Sequence, residues 1–357
     1  MRVFDCESCS APLEWSPGSA QLVCPYCESR VRVPPEGEVR ELSFKAFLAQ
    51  LEEAGPREER PVQRCQSCGA ETVLGGRQSA GRCSYCDTPI VAEPELTNIL
   101  RPRSVLPFKV TRERGVRSFK RWLGSLWFAP NALKREADRG NLDGVYMPYF
   151  TYDSRTRTRY RGRRGEHYWE TETYTTMENG KSVTKTRQVR KTRWYPASGT
   201  VSRAFNDVLV PASSRLPKSM VDELEPWDLE DLTGFQEEFL AGFRAERATV
   251  GLARGFERAK LRMWPKIRSD ICRDIGGDTQ RITSHTTLYA GVTFKSVLLP
   301  IWLSSYRYRS KVYRFLVNGR TGEVQGERPY SWIKITLAVL AVIAIIVGLV
   351  AAHQRWA

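Results

Sequence analysis

The sequence is poor in histidine. Its three, His167, His285 and His353, stand far apart, no H-E-x-x-H pair occurs, and neither a phosphate-cradling Gly-rich loop with Lys-Ser/Thr nor a G-x-S-x-G elbow is present. The usual signatures of zinc, nucleotide and serine hydrolysis are therefore missing. Carboxylate pairs such as Asp222 with Glu223, or Glu237 with Glu238, are adjacent residues that point apart on a helix. The expectation is a protein that is not an enzyme. The first thirty residues also lack an apolar stretch that could act as a signal peptide, so nothing directs the N-terminal bulk outward.

Cysteine, by contrast, is concentrated. Of nine, eight precede residue 90, in two sets of one spacing: Cys6, Cys9, Cys24 and Cys27, then Cys65, Cys68, Cys83 and Cys86, each reading C-x2-C, fourteen residues, C-x2-C. The offset is 59 throughout, and Ser8 with Ser67, Ala11 with Ala70, and Tyr26 with Tyr85 keep it, which marks a duplicated module. Two C-x2-C knuckles on a hairpin can set four thiolates tetrahedrally around zinc, and four protein ligands leave no open position, so two structural zinc ions are expected. A module this small cannot rest on its own core, so Cys24→Ser is expected to unfold the first ribbon alone. Cytosolic placement argues against disulfides, and the redox reading of the C-x2-C pairs lacks a surrounding βαβ pattern. Cys272 receives no role.

The net charge of +15 is unevenly spread. Residues 1–100 hold 10 basic and 15 acidic side chains, residues 101–200 hold 23 and 9. Acidic ribbons suit protein partners better than phosphate. Arg155, Arg157, Arg159, Arg161 and Arg163 alternate with Thr156, Thr158, Tyr160 and Gly162, so a strand places five guanidinium groups on one face, a candidate surface for anionic lipid or an acidic protein. A hairpin follows over 166–177 and 182–193 about Asn179 and Gly180, which sets Glu172 opposite Arg187, Glu166 opposite Arg193 and Trp169 opposite Arg190.

Elsewhere, Ser43 caps a short helix carrying Phe44, Phe47, Leu48 and Leu51, expected to pack the ribbons together, and Thr111 caps one carrying Val116, Phe119, Leu123 and Leu126. A further short helix is expected from Asn131 to before Gly140, strands over 144–152 and 205–210, and a helix of about 25 residues with Leu252, Phe256, Ala259, Met263, Ile267 and Ile271 as its apolar stripe. Asp274, Gly276, Gly277 and Asp278 read as a helix stop rather than a cyclase signature, because Thr279 and Gln280 follow. The pattern Val145, Pro148, Phe150 returns as Val297, Pro300, Trp302, a weak internal repeat, and a last hairpin spans 312–325.

Ile335 to Ala352 is one uncharged run of 18 with eleven Leu, Ile or Val. At 1.5 Å per residue it covers about 27 Å, close to the hydrocarbon core of a bilayer. Tyr330, Trp332 and Lys334 before it, and His353, Arg355 and Trp356 after it, are interfacial residue types. The reading is a C-terminal tail anchor in a bacterial cytoplasmic membrane, with the N-terminal bulk in the cytosol.

The stretches 122–133, 145–153, 205–210, 241–246, 274–278 and 317–327 behind paired ribbons resemble a bacterial family of membrane-anchored double zinc-ribbon proteins, the YdjG-like family, whose relatives often carry the label primosomal protein N-prime or replication factor Y helicase. Helicase motor motifs are missing here. The resemblance implies a membrane adaptor associated with flotillin-like SPFH and phage-shock-protein-A-like proteins, and supports only the eight zinc cysteines as site residues.

The expected architecture is α+β multidomain: zinc ribbon 1 over 1–35, a linker with a short helix over 36–62, zinc ribbon 2 over 63–95, an α+β cytosolic body over 96–330 and a transmembrane anchor over 331–357. The expected function is a tail-anchored adaptor that recruits cytosolic proteins through its ribbons, in membrane organisation or envelope stress. The alternative is a membrane-tethered nucleic-acid-binding protein.

Overall fold

The stretches Asp143 to Glu178 and Lys181 to Pro211 each form one strand, of 36 and 31 residues; the first is buried on both faces over 145–152 and alternates buried and exposed residues from Ser154 to Arg163. The computed structural model describes residues 4–34, 37–53, 59–65, 71–73, 80–83, 85, 89–91, 95–98, 102–128, 130, 142–178, 181–308, 311–327 and 330–356. Its strands are β1 (Glu14–Trp15), β2 (Gln21–Val23), β3 (Arg30–Arg32), β4 (Leu42–Ser43), β5 (Glu59–Arg64), β6 (Glu71–Val73), β7 (Ala80–Arg82), β8 (Pro89–Val91), β9 (Glu95–Asn98), β10 (Ser104–Val105), β11 (Asp143–Glu178), β12 (Lys181–Pro211), β13 (Thr233–Gly234), β14 (Arg244–Glu246), β15 (Thr279–Tyr308), β16 (Lys311–Asn318) and β17 (Val324–Gly326). The principal helices are α1 (Phe44–Glu53), α2 (Arg112–Ser125), α3 (Leu252–Ile275) and α4 (Trp332–Trp356). The chain is thus mixed α and β, with a cysteine cluster near its start and one apolar helix near its end.

The antiparallel pair β11 and β15 is central. On β11 the outer neighbours are β12 and β14; on β15 they are β4, β10 and β16 in turn. The order short strand, helix, long strand, return strand occurs twice, as β10, α2, β11, β12 and as β14, α3, β15, β16. Each short strand pairs parallel with the long strand of the other set, Ser104 beside Val297 and Arg244 beside Val145.

From the β11–β15 centre an arm extends. The sequence reading divides it into separate strands over 144–152, 155–163 and 166–177, yet they are continuous, because β11 stays paired with β12 from Tyr149 to Glu178. A register shift between Tyr152 and Ser154 leaves it in one piece. The arm is three-stranded where β15 accompanies it, up to Gly165 opposite Thr279, and a two-stranded hairpin beyond. There Glu172 faces Arg187, Glu166 faces Arg193 and Trp169 faces Arg190. An ion pair joins Arg187 to Glu172 at 3.2 Å, whereas Glu166 takes Arg164 at 2.8 Å. The turn at Asn179 and Gly180 and the short helix expected over 131–140 lie outside the described residues.

α3 lies along the other face of the arm. Its stripe of Leu252, Phe256, Ala259, Met263, Ile267, Ile271 and Ile275 is buried at helical spacing, and Gly255 is packed against Phe150 and Tyr152, where a Cβ would meet the Tyr152 hydroxyl at 2.4 Å. The helix stops at Ile275 because Gly276 and Gly277 turn with φ of +68° and +73°. Thr111 caps α2, its hydroxyl accepting from the Arg114 N–H.

The two N-terminal modules are built into this body. Residues Cys6, Leu13, Trp15, Leu22, Cys24 and Val33 share one buried cluster with Phe108, Phe119, Tyr146, Phe239 and Trp302. The Trp15 ring meets Phe239 edge to face at 4.6 Å, and the Trp15 backbone N–H donates to the Ala241 carbonyl. Of the second module, β6 pairs with β14 and with β5, so β6, β5 and β9 extend the main sheet across the expected boundary at residue 96, while β7 and β8 pair with each other in a separate two-stranded sheet. α1 does not clamp the modules to each other, as its position between them suggests. Phe44 packs on Phe256 at 4.9 Å and Phe47 on Phe294 at 5.1 Å, so the helix sits at the base of the arm. Its apolar stripe finds the largest neighbouring apolar surface rather than the nearest in sequence.

The 318–322 turn pins the end opposite the arm. Asn318 is fully buried; its amide donates to the Leu224 carbonyl, and its oxygen accepts from the Arg320 and Thr321 N–H groups. Arg320, its side chain 7% exposed, donates to both oxygens of Asp228, to Asp231 and to the Pro107 carbonyl. Arg320→Met is expected to cost about 2–4 kcal/mol, somewhat less than the usual loss from breaking a buried pair because both carboxylates keep some solvent. Urea unfolding of the detergent-solubilised protein measures it. A change under about 0.5 kcal/mol would show that the network is not holding this end together.

Candidate functional site: a cysteine cluster and an arginine row

The hairpin of β1 and β2 with the following turn into β3 brings Cys6, Cys9, Cys24 and Cys27 to one point. All four sulfurs lie within 4.8 Å of one another, with Cys6 to Cys27, Cys9 to Cys24 and Cys9 to Cys27 at 3.5 Å each. Tetrahedral zinc at about 2.3 Å from each sulfur requires about 3.8 Å between sulfurs, so the cluster fits such an ion with little movement. Tight turns build the knuckles: Ser10 and Glu28 adopt φ of +58° and +60°, and their N–H groups donate to the Cys6 and Cys24 carbonyls. Cys6 and Cys24 face the body; Cys9 and Cys27 face solvent beside Tyr26, itself 78% exposed.

The thiols divide their protons unequally. The Ser29 hydroxyl, followed by its backbone N–H, pulls Cys27 down to about 6. The Ser8 N–H holds Cys6 below the ordinary thiol value. At Cys9 the Ala11 N–H acts in the same direction, but the crowding by Cys24 and Cys27 outweighs it and raises the thiol to about 12. Four sulfurs this close cannot all carry charge without a cation among them, and a cation is what the group is arranged to accept.

Of the second set, Cys65 and Cys83 are buried, against Tyr85 and the Leu303 and Leu316 side of the sheet. The Tyr85 hydroxyl donates to the buried Glu246, which also accepts from the Ser213 hydroxyl, and Arg314 donates to the Tyr85 carbonyl at 2.9 Å. Cys68 and Cys86 lie outside the described residues. Among the described residues, one cluster of four cysteines could hold a metal ion. Tyr85 is a contact that spacing alone misses, although its match to Tyr26 at the 59-residue offset singles it out.

The five arginines all stand exposed on the face of the arm away from α3, while Thr156, Thr158, Tyr160 and Gly162 between them are buried. Their cross-strand neighbours are mostly small: Ala204 and Ala290 beside Arg155, Ser202 and Leu288 beside Arg157, Thr200 and Thr286 beside Arg159, Ser198 and Ser284 beside Arg161. Arg163 lies between Pro196 and Arg281. Among the described residues none of the five has an ion pair, whereas the hairpin beyond is laced by pairs such as Lys191 with Glu170 and Glu172. At two residues per step the row spans about 26 Å. Its place is at the far end from α4: Arg155 is opposite Ala290 and Arg163 opposite Arg281, whereas α2 packs by Phe119 on Phe315, opposite Ser304. Along β15 these separations are about 45 and 75 Å.

α4 contains a 19-residue span, Trp332–Val350, long and apolar enough to cross a membrane, and none of it is buried.

No protein-family profile matches this chain, and no solved structure matches it. The chain is similar to the protein named "Uncharacterized protein YdjG" of Bacillus subtilis (strain 168), with 28% identity over 239 residues. The matched segment is 66% of this chain and spans 66% of the length of that relative.

Proposed function

We propose that the protein is a membrane-anchored adaptor of a bacterial cytoplasmic membrane, without catalytic activity, that offers a basic arm to an acidic partner protein in the cytosol. The observation that carries this is the row Arg155, Arg157, Arg159, Arg161 and Arg163, exposed between small side chains and without described ionic partners. Five uncompensated guanidinium groups repel one another and contribute nothing to the described core, which is reasonable for a surface kept for a partner.

In this reading the two cysteine sets are zinc ribbons that brace the body, each with one structural Zn2+, the second held by Cys65, Cys68, Cys83 and Cys86. Much of their surface is spent on the core. The exposed knuckle around Cys9, Tyr26 and Cys27 is left as a second docking point. The separation of the row from α4 exceeds a Debye length of about 8 Å several times over, which favours a protein over the anionic lipid that the sequence suggests for these arginines. Flotillin-like SPFH and phage-shock-protein-A-like proteins, implied by the family resemblance, are the first to seek.

The test is affinity capture of the full chain from solubilised membranes, beside a variant with Arg155, Arg157, Arg159 and Arg161 changed to Gln. The variant should keep its membrane fraction and its melting temperature, and lose most of the captured protein. Undiminished capture would end the proposal. Captured nucleic acid that falls away steeply with salt would establish instead the alternative of a tethered nucleic-acid-binding protein.

A further inference from the structure

The loop that follows α2 carries two large side chains into solvent. Trp127 is 80% exposed and Phe128 40%, although Leu123 and Leu126 just before them are buried. This loop is fastened to the start of α4. The Ser331 N–H donates to the Phe128 carbonyl at 2.7 Å, and the Lys334 ammonium donates to the Trp127 carbonyl at 3.1 Å. Trp127 and Phe128 are therefore held at the level of Tyr330, Trp332 and Ile333, which are 55%, 78% and 75% exposed. An amphipathic aromatic residue held beside the first turn of an apolar span occupies the layer where Trp and Tyr are most stable in a bilayer.

The helix behind the loop adds charge of the matching sign. Arg114, Arg117 and Arg121 fall at i, i+3 and i+7, and with Ser118, Thr321, Gly322 and Glu323 they line an open surface pocket of about 410 Å3. Among the described residues none of the three arginines is ion-paired. Glu323 is the one carboxylate in the lining, so the site is cationic by two charges. Arg121 lies four residues before the end of α2, about 6 Å along the helix, comparable with the thickness of one headgroup layer.

We propose that this loop and this helix face form a second membrane contact, in which Trp127 and Phe128 enter the interfacial layer and Arg121, Arg117 and Arg114 receive the phosphate of an anionic phospholipid headgroup. The proposal rests on α4 spanning the membrane. Two attachments, one spanning and one interfacial, restrict the tilt of the body and hold the arm on the side away from the bilayer.

The full chain, carrying a photo-crosslinking amino acid at position 127, 332 or 261, is placed in nanodiscs of phosphatidylcholine with or without phosphatidylglycerol. Leu261, 68% exposed on α3, serves as the exposed apolar position away from the loop. Lipid adducts are expected at 332 and 127 and not at 261, with the yield at 127 several-fold higher when phosphatidylglycerol is present. Changing Arg114, Arg117 and Arg121 to Gln should abolish that preference and leave the adduct at 332 unchanged. Adducts at 332 without any at 127, or equal yields at 127 and 261, overturn the second contact while α4 stands as a span. Adducts at none of the three positions overturn the span itself. A yield at 127 indifferent both to phosphatidylglycerol and to the arginine changes overturns the headgroup site.

Discussion

Cys24→Ser is expected to abolish one equivalent of bound zinc and to destabilise the whole body, and not the first module alone as the sequence suggests. Cys24 is fully buried, and its cluster is continuous with Phe108, Tyr146 and Trp302 of the body. When the ligand set fails, Leu13, Trp15 and Leu22 lose their support, and the surface of Phe239 that Trp15 covers is exposed. Each large apolar side chain so released removes about 1.5–3 kcal/mol, and structural zinc sites contribute about 10–16 kcal/mol in isolated peptides. A domain stable by about 5–15 kcal/mol cannot absorb such a loss, so the melting temperature should fall by more than about 10 °C. Cys272→Ser is the control, because Cys272 lies outside the cluster. Elemental analysis and thermal unfolding decide the matter. Full metal content with an unchanged melting temperature in Cys24→Ser would remove the cluster as a metal site, and iron in place of zinc would change the cofactor.

Ending the chain at Glu327 is expected to have an equally large effect on where the protein is found and almost none on how it folds. The full chain should stay with membranes through carbonate extraction, and the shortened one should be soluble. The eleven Leu, Ile and Val of the run each favour the bilayer centre by about 0.3–0.6 kcal/mol on the insertion scale, and no charge opposes them. None of Trp332–Val350 is buried, so its removal takes nothing from the described core. The cut leaves the pairing of β16 with β17 intact, including the Glu327 N–H bond to the Arg314 carbonyl. Carbonate-resistant membrane association of the shortened protein would show that α4 is not the anchor.

Much of the local structure could be read in advance. Thr111 and Ser43 start their helices, the stripe from Leu252 to Ile271 is buried as spaced, and Gly276 ends α3. Hairpin register was also legible, since an Asn-Gly pair fixes which residues face one another and the pairs Glu172 with Arg187 and Trp169 with Arg190 follow. The exposure of Trp127 and Phe128 was not read from the sequence, although aromatics directly after a basic amphipathic helix were the available signal.

By itself the sequence determined whatever depends on neighbours or on a short period: the cysteine knuckles, the helix faces, the alternation that aims five arginines one way, and the 18-residue run that no core covers. Only the tertiary structure decided what those pieces meet. Glu41 bonds Lys295 across 254 residues, the Tyr152 hydroxyl bonds the Leu252 carbonyl across 100, and Trp15 rests on Phe239. Apolar burial is non-directional, so a period of 2 or 3.6 says that a face will be covered and not by which distant segment. That choice built the modules into the body, moved α1 to the base of the arm, and set the arginine row and α4 at opposite ends of the molecule.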